Sequence, residues 1–242
     1  MAAMLVAGPA GLHAQAGALA LSQPSPPQLG AHTLLVQSEG LGASPAITDP
    51  IDTQASGSSL IVFNGGYAAN AAPPEDSYAN RWKLLGGRVP YGNGYGDRFD
   101  VRAYVALSAR GGAHHTVSLD KAGYAAGEIS VPFIEVRQAG VLQDVAQNYP
   151  PPGPVMTSGR VTTTGPATLI AVWWGDAGIK RMRAVPNNGF SVIESFLRLP
   201  DNSGVQCAVA FKQVSTAGTY DVSWMDVPAQ GAILWLFAFQ SK

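Results

Sequence analysis

Residues 99–108 alternate along the chain. Phe99, Val101, Ala103, Val105 and Leu107 fall on one face, and Asp100, Arg102, Tyr104 and Ser108 on the other. A period of two sends successive side chains to opposite faces, so this segment predicts a half-buried antiparallel strand. Residues 59–63 (SLIVF) and 168–174 (TLIAVWW) are apolar on both faces and predict central strands covered on each side. Ile129, Val131 and Phe133 alternate with Ser130 and Pro132; the proline cannot donate to a ladder and predicts an edge or a bulge. The closing run 232–239 is so apolar that it must lie inside a sheet. Gly, Pro, Asn and Asp punctuate these segments, and no helical period stands out beyond residue 50.

The same order of segments occurs twice, at a separation of 104 to 109 residues. Residues 56–63 correspond to 165–172, 103–107 to 207–211, and 116–119 to 221–224; each half then closes on a strand, 128–136 and 232–239. The expectation is an all-β fold, an antiparallel two-sheet β-sandwich of jelly-roll-like form with internal pseudo-duplication and a single core. Residues 1–50 read as an extended N-terminal arm and linker, with a possible strand at 33–37. Residues 51–242 read as one sandwich domain whose halves, 51–149 and 155–242, are joined by a stiff crossover at 150–154 (PPPGP). The predicted core is Leu60, Val62, Phe99, Val101, Val105, Val117, Ile129, Phe133, Leu169, Val172, Val209, Val222, Trp235 and Phe237.

Composition narrows the partners. Of 242 residues only 13% are charged, against roughly 25% in an ordinary soluble domain, and 15 basic residues face 16 acidic ones for a net charge of −1. That balance removes the electrostatic basis for nonspecific nucleic-acid binding or for coating an anionic membrane. No stretch approaches the ~20 apolar residues that span a bilayer. Cys207, the single cysteine, excludes an intrachain disulfide and a Cys-based zinc site, and reads as a small buried residue. Residues 1–20 are apolar and contain Ala14-Gln15-Ala16, which is cleavage-site-like. They lack a positive n-region, however, and Gly8-Pro9 interrupts the apolar run, so the expectation is a retained arm that becomes ordered by packing. Leu5, Val6, Leu19 and Leu21 are its subunit-docking candidates.

The series Asp76-Ser77-x-x-Asn80-x-Trp82, Gly111-Gly112-Ala113-His114-His115-Thr116-Val117, Ser158-Gly159-x-x-Thr162-Thr163-Thr164 and Gly189-Phe190-Ser191-Val192 resembles β-sandwich modules of tailed phages, prophages and bacterial secreted proteins. The resemblance covers about residues 50 to 242 and rests on turns and core positions. It departs at Ala79, where a glycine would be expected in the turn after Asp76. The resemblance implies a structural or adhesive role and supplies no active-site residues.

Candidate sites weigh chemistry against plainer readings. Tyr78, Trp82, Tyr91 and Tyr95, with Asn80, Asn93 and Asp97 nearby, have the flat faces and polar edges that contact sugars; aromatics in sandwiches also serve as core or loop plugs. His114 and His115 are adjacent, so on a strand they point apart and make a poor metal pair. Asp97 and Asp100 beside the 92–96 glycine run lack the ligand spacing of a calcium loop. The run itself is no dinucleotide fingerprint, because a strand follows it; it reads as a mobile surface loop with Tyr91 and Tyr95 exposed at its tip. Trp173 and Trp174 must take opposite faces. Lys180-Arg181-x-Arg183 could meet an acidic subunit or a phosphate, or form a solvated loop. Glu128, Glu135 and Glu194 sit on strands with nothing to mark them as partners. Gly-x-Ser-x-Gly, His-Glu-x-x-His and P-loop motifs are absent, so no catalytic residue, metal or cofactor is assigned. The expected function is that of a non-enzymatic phage virion protein (capsid decoration, tail fibre or spike) at the particle surface. It would dock through its arm on other virion subunits, as a homo-oligomer, without nucleic acid or membrane insertion. The alternative is a carbohydrate-binding adhesion module of a secreted bacterial protein that contacts a host-surface glycan.

Overall fold

The computed structural model describes residues 25–67, 72–92, 98–121, 123–201 and 203–242. These form antiparallel strands and no α-helix. The first nine are β1 (Gln28–Gln37), β2 (Ala46–Ile47), β3 (Ser56–Tyr67), β4 (Glu75–Asp76), β5 (Lys83–Tyr91), β6 (Phe99–Arg110), β7 (Val117–Leu119), β8 (Ile129–Arg137) and β9 (Val141–Asn148). The rest are β10 (Gly153–Thr157), β11 (Val161–Thr163), β12 (Ala167–Gly175), β13 (Arg183–Pro186), β14 (Ser191–Phe196), β15 (Cys207–Val214), β16 (Gly218–Tyr220), β17 (Ser223–Gln230) and β18 (Ala232–Gln240).

Two five-stranded sheets, β1-β8-β3-β6-β5 and β9-β18-β12-β15-β14, repeat each other strand for strand. Each half also carries small sheets: β2-β7-β4 in the first, β10-β17-β13 and the pair β11-β16 in the second. In both halves the first strand lies beside the last, and β3 lies beside β6 as β12 lies beside β15, which is jelly-roll order. The duplication expected from sequence is therefore present as a repeated sheet topology.

The single core expected from sequence is instead three apolar seams between four layers. The large sheets face each other across the central seam, where Phe63 meets Trp235 and Phe237 edge-on at 5.1 and 5.9 Å. On the outer side of the first large sheet, Leu60, Val62 and Phe133 pack with Ala46, Val117 and Leu119 of the small sheet. On the outer side of the second, Leu169, Trp173 and Leu234 pack with Met156, Ala184 and Trp224. Each large sheet is thus covered twice, which is why its inner strands are apolar on both faces. Ile170, Val172 and Trp174 of β12 look to the centre; Leu169, Ala171 and Trp173 look outward. All fourteen predicted core residues are buried, divided among the three seams. At roughly 1.5–3 kcal/mol per large apolar side chain, these seams hold the fold without a disulfide.

Several expectations change. The ordered fold starts well before residue 51, because β1 is a ten-residue strand paired on β8, not a short strand in a linker. The halves meet at residues 138–140, between β8 and β9; the proline run 150–154 lies inside the second half. β6 is buried on both faces: Asp100, Arg102 and Tyr104 lie under the outer layer, with the Arg88 guanidinium 2.7 Å from Asp100. Leu107 leaves the core at 45% exposure, because an extra residue in β6 between Ala106 and Ala109 shifts the alternation. Pro132 is on an interior strand rather than an edge, at a gap in the β3–β8 ladder. Along the flanks of the central seam, β1 passes β14, where His32 Nδ1 lies 2.6 Å from Glu194, and Gly86 of β5 faces the Gln147 amide of β9.

Candidate functional site

The described aromatic candidates, Tyr78, Trp82 and Tyr91, do not form one surface. Asn93, Tyr95 and Asp97 lie outside the described residues, as do the docking candidates Leu5, Val6, Leu19 and Leu21. Tyr91, expected at a loop tip, is 4% exposed in the central seam, with its ring 5.5 Å from Phe99 and 6.1 Å from Trp174. Burial raises its phenol well above the ordinary tyrosine value. Tyr78 and Trp82 are half-buried and belong to a turn built on one carboxylate.

That carboxylate is Asp76, whose side chain is fully enclosed. It accepts hydrogen bonds from the Tyr78 amide (2.8 Å), the Asn80 amide (3.2 Å), Asn80 Nδ2 (3.1 Å) and Trp82 Nε1 (2.8 Å). His115 Nε2 lies 3.3 Å away, and His115 Nδ1 is 2.8 Å from Thr53 Oγ1. Burial by itself would raise the Asp76 pKa. The contacts with His115, Tyr78, Trp82 and Asn80 outweigh burial and hold the carboxyl below its usual value. Asn80 also closes a two-way bond with the Arg110 backbone, and the Tyr78 hydroxyl donates to the Ala113 carbonyl. The Asp76-Ser77-x-x-Asn80-x-Trp82 motif therefore works as a clamp that fastens the first outer layer. Ala79 takes a φ of 52°, the left-handed conformation for which a glycine was expected. The histidines do part, but at a turn and not along a strand: His115 is buried in the clamp, while His114, at φ 55°, is exposed and its amide binds Asp52.

The strand carboxylates are likewise absorbed. Glu135 is fully buried and accepts from the Gln54 amide (2.7 Å), Ser58 Oγ (2.6 Å), the Ala31 amide and Arg137 Nε (both 3.1 Å). Glu128 joins the halves, accepting from Ser203 Oγ and the Gly204 amide; burial raises its pKa. Asp226 was not singled out in the sequence. It lies in the second outer seam beside Trp173 Nε1 at 3.2 Å, and burial, with help from the Asp176 charge, pushes it up to about 7. Its inward position in the alternation Trp224-Met225-Asp226-Val227 was the available signal. Such a group can exchange a proton near neutrality, but at 1% exposure it meets no substrate. Cys207 is buried, and burial raises its thiol pKa far out of reactive range.

Among the described residues, two depressions mark the surface. One, of about 360 Å³, sits on the first outer layer between Ser44, Pro45, Pro73, Glu75, Ser118 and Asp120. The other, of about 410 Å³, is a groove lined by Met182, Arg183, Ser195, Phe196, Leu197 and Arg198. The basic cluster is divided: Lys180 turns back to the Ser203 carbonyl, Arg181 lies 3.8 Å from Asp201, and only Arg183 lines the groove.

The third surface feature is apolar. Met225 of β17 pairs with Val155 of β10 on one side and Val185 of β13 on the other. Their neighbours Met156, Ala184, Trp224 and Asp226 point inward, so Val155, Met225, Val185 and Val227 point out, at 59, 52, 42 and 52% exposure. Among the described residues no group of three or more His, Cys, Asp or Glu side chains converges as a metal ion would require, and no helix is long and apolar enough to cross a membrane. The chain matches no family model, no curated protein and no solved structure.

Proposed function

We propose that the protein is a non-enzymatic structural component of a virion, a capsid decoration or part of a tail fibre or spike, that assembles with neighbouring subunits and displays a rigid β-module. One contrast carries the reading. The polar groups that could perform chemistry, Asp76, His115, Glu128 and Glu135, are consumed in internal bonds, while an outer sheet presents a row of apolar side chains to solvent. The resemblance of its turn and core motifs to phage and secreted sandwich modules favours the same reading. Four layers with doubly covered sheets resist deformation, a property suited to display. The adhesion-module alternative loses its surface at Tyr78, Trp82 and Tyr91, which serve the clamp and the central seam.

The test is mass spectrometry and immunogold microscopy of particles induced from a strain that carries the gene, with the full chain and with residues 1–24 deleted. The expected result is a fixed copy number per particle that falls at least tenfold on deletion. A chain absent from purified particles would overturn the reading.

A further inference from the structure

We infer that the outward face of β10-β17-β13 is a docking surface for residues 1–24 of a second copy of this chain. The inference rests on the assembly reading above and names the surface and the segment that carry it.

The fold contains its own control. The equivalent outer sheet of the first half, β2-β7-β4, has the same three-strand form and the same position on its large sheet. Across its matching row stand Ile47, Ser118 and Glu75, one apolar and two polar side chains. The architecture therefore does not require an apolar row on its outer face. In the second half the row is Val155, Met225 and Val185 in direct register, extended by Val227. An apolar surface that the fold does not need marks a contact with something else.

The occupant follows from charge, length and direction. Residues 1–24 contain no Asp, Glu, Lys or Arg, and carry Leu5, Val6, Leu12, Leu19 and Leu21. An uncharged, leucine-bearing segment suits an apolar row, whereas an acidic partner would choose the arginine groove beside Arg183 and Arg198. Twenty-four residues can span up to roughly 80 Å when extended, more than the ~45 Å breadth expected of a compact chain of this length. The direction points to a neighbour. The Pro27 carbonyl is held by Thr168 and Gln213 at the start of β12, and β1 runs from there towards His32, beside Glu194. The row lies over the other end of β12, where Asp226 meets Trp173. The described chain thus begins at the end of the sandwich remote from the row on its own copy.

Sedimentation velocity and light scattering of the purified full chain should show association between 1 and 100 µM (a range set by roughly micromolar affinity). Deleting residues 1–24 should abolish it, as should Met225→Glu or, independently, Val155→Glu. Ile47→Glu, on the equivalent row of the first half, should leave it intact. A peptide of residues 1–24 should bind the deleted protein, and at least tenfold more weakly when Met225→Glu is present; thermal melts confirm that each variant is folded. A full chain that stays monomeric, or association that survives both the deletion and the two glutamate variants, overturns the inference. If those variants still enter particles normally, the surface is wrong and the virion reading stands; if docking holds but no particle contains the chain, the virion reading alone fails.

Discussion

The two outer layers cover equivalent large sheets and are fastened by opposite means. In the first half β2 and β4 have two residues each and β7 three, too little apolar surface to hold a layer, and the deficit is met by the Asp76 clamp. In the second half β17 is eight residues long and seats Trp224 and Met156 against Trp173, with Asp226 as the buried carboxylate of that seam. One layer depends on a satisfied anion and the other on packing that tolerates an awkward one. The difference teaches that a repeated topology constrains the large sheets and leaves their covers free to diverge.

The largest effect is expected from Asp76→Ala. It strips the acceptor from Trp82, Asn80 and Tyr78 and leaves His115 without its anion; breaking a buried polar cluster of this kind costs about 3–5 kcal/mol. A urea midpoint that hardly moves would show that the first layer is held by packing after all.

Asp226 sharpens the contrast through pH. Its folded pKa of about 7 stands above the ordinary 3.8, so the native state binds more protons than the unfolded state between those values. Stability is full below about pH 4 on this account and declines as pH rises to 7. Asp226→Asn should remove that decline, so that the variant gains on the parent by about 2–4 kcal/mol between pH 4 and pH 8, read as the pH dependence of the difference in unfolding free energy. Asp76 acts in the opposite sense. Its lowered pKa contributes stability that is present above the unfolded value and is lost as pH falls through the folded one. A flat difference curve for Asp226→Asn would break the comparison.

A smaller gain is expected at the clamp turn. Ala79 sits at φ 52°, and Ala79→Gly should stabilise the chain by about 1 kcal/mol, visible as a rise in Tm. The smallest effects belong to the exposed rows, where Met225→Glu and Ile47→Glu should each change the unfolding free energy of the monomer by less than about 0.5 kcal/mol.

Much of the fold could be read from the chain because both covers leave the same signature. Residues 168–174 and 232–239 are apolar on both faces since each strand is packed twice. Other features left no such trace. Strands of two or three residues, as in β2 and β4, are too short for a period. Residues 28–33 mix Gln, Gly, Ala and His on a half-buried strand, and so resemble a linker. The seam between halves is the plain turn at 138–140, overshadowed in the sequence by the proline run at 150–154. Composition does not separate a sugar platform from a plug: Tyr91 borders a glycine-rich run, as a loop-tip residue would, yet it packs against Phe99 and Trp174. The docking row was hidden for a related reason: β17 is apolar at Trp224 and again at Met225, and only pairing with β10 and β13 shows which of them faces water.

The short turn between β8 and β9 has a consequence of its own. Two lobes that meet face to face, with β1 beside β14 and β5 near β9, have the geometry of a symmetric pair of subunits. In a pair of separate identical chains every substitution is made twice, and a change that suits one partner burdens the other. Tethering the lobes within one polypeptide lifts that restriction: a single residue can change on one side only. Asymmetry of the kind seen between Ser118 and Met225 then becomes open to selection.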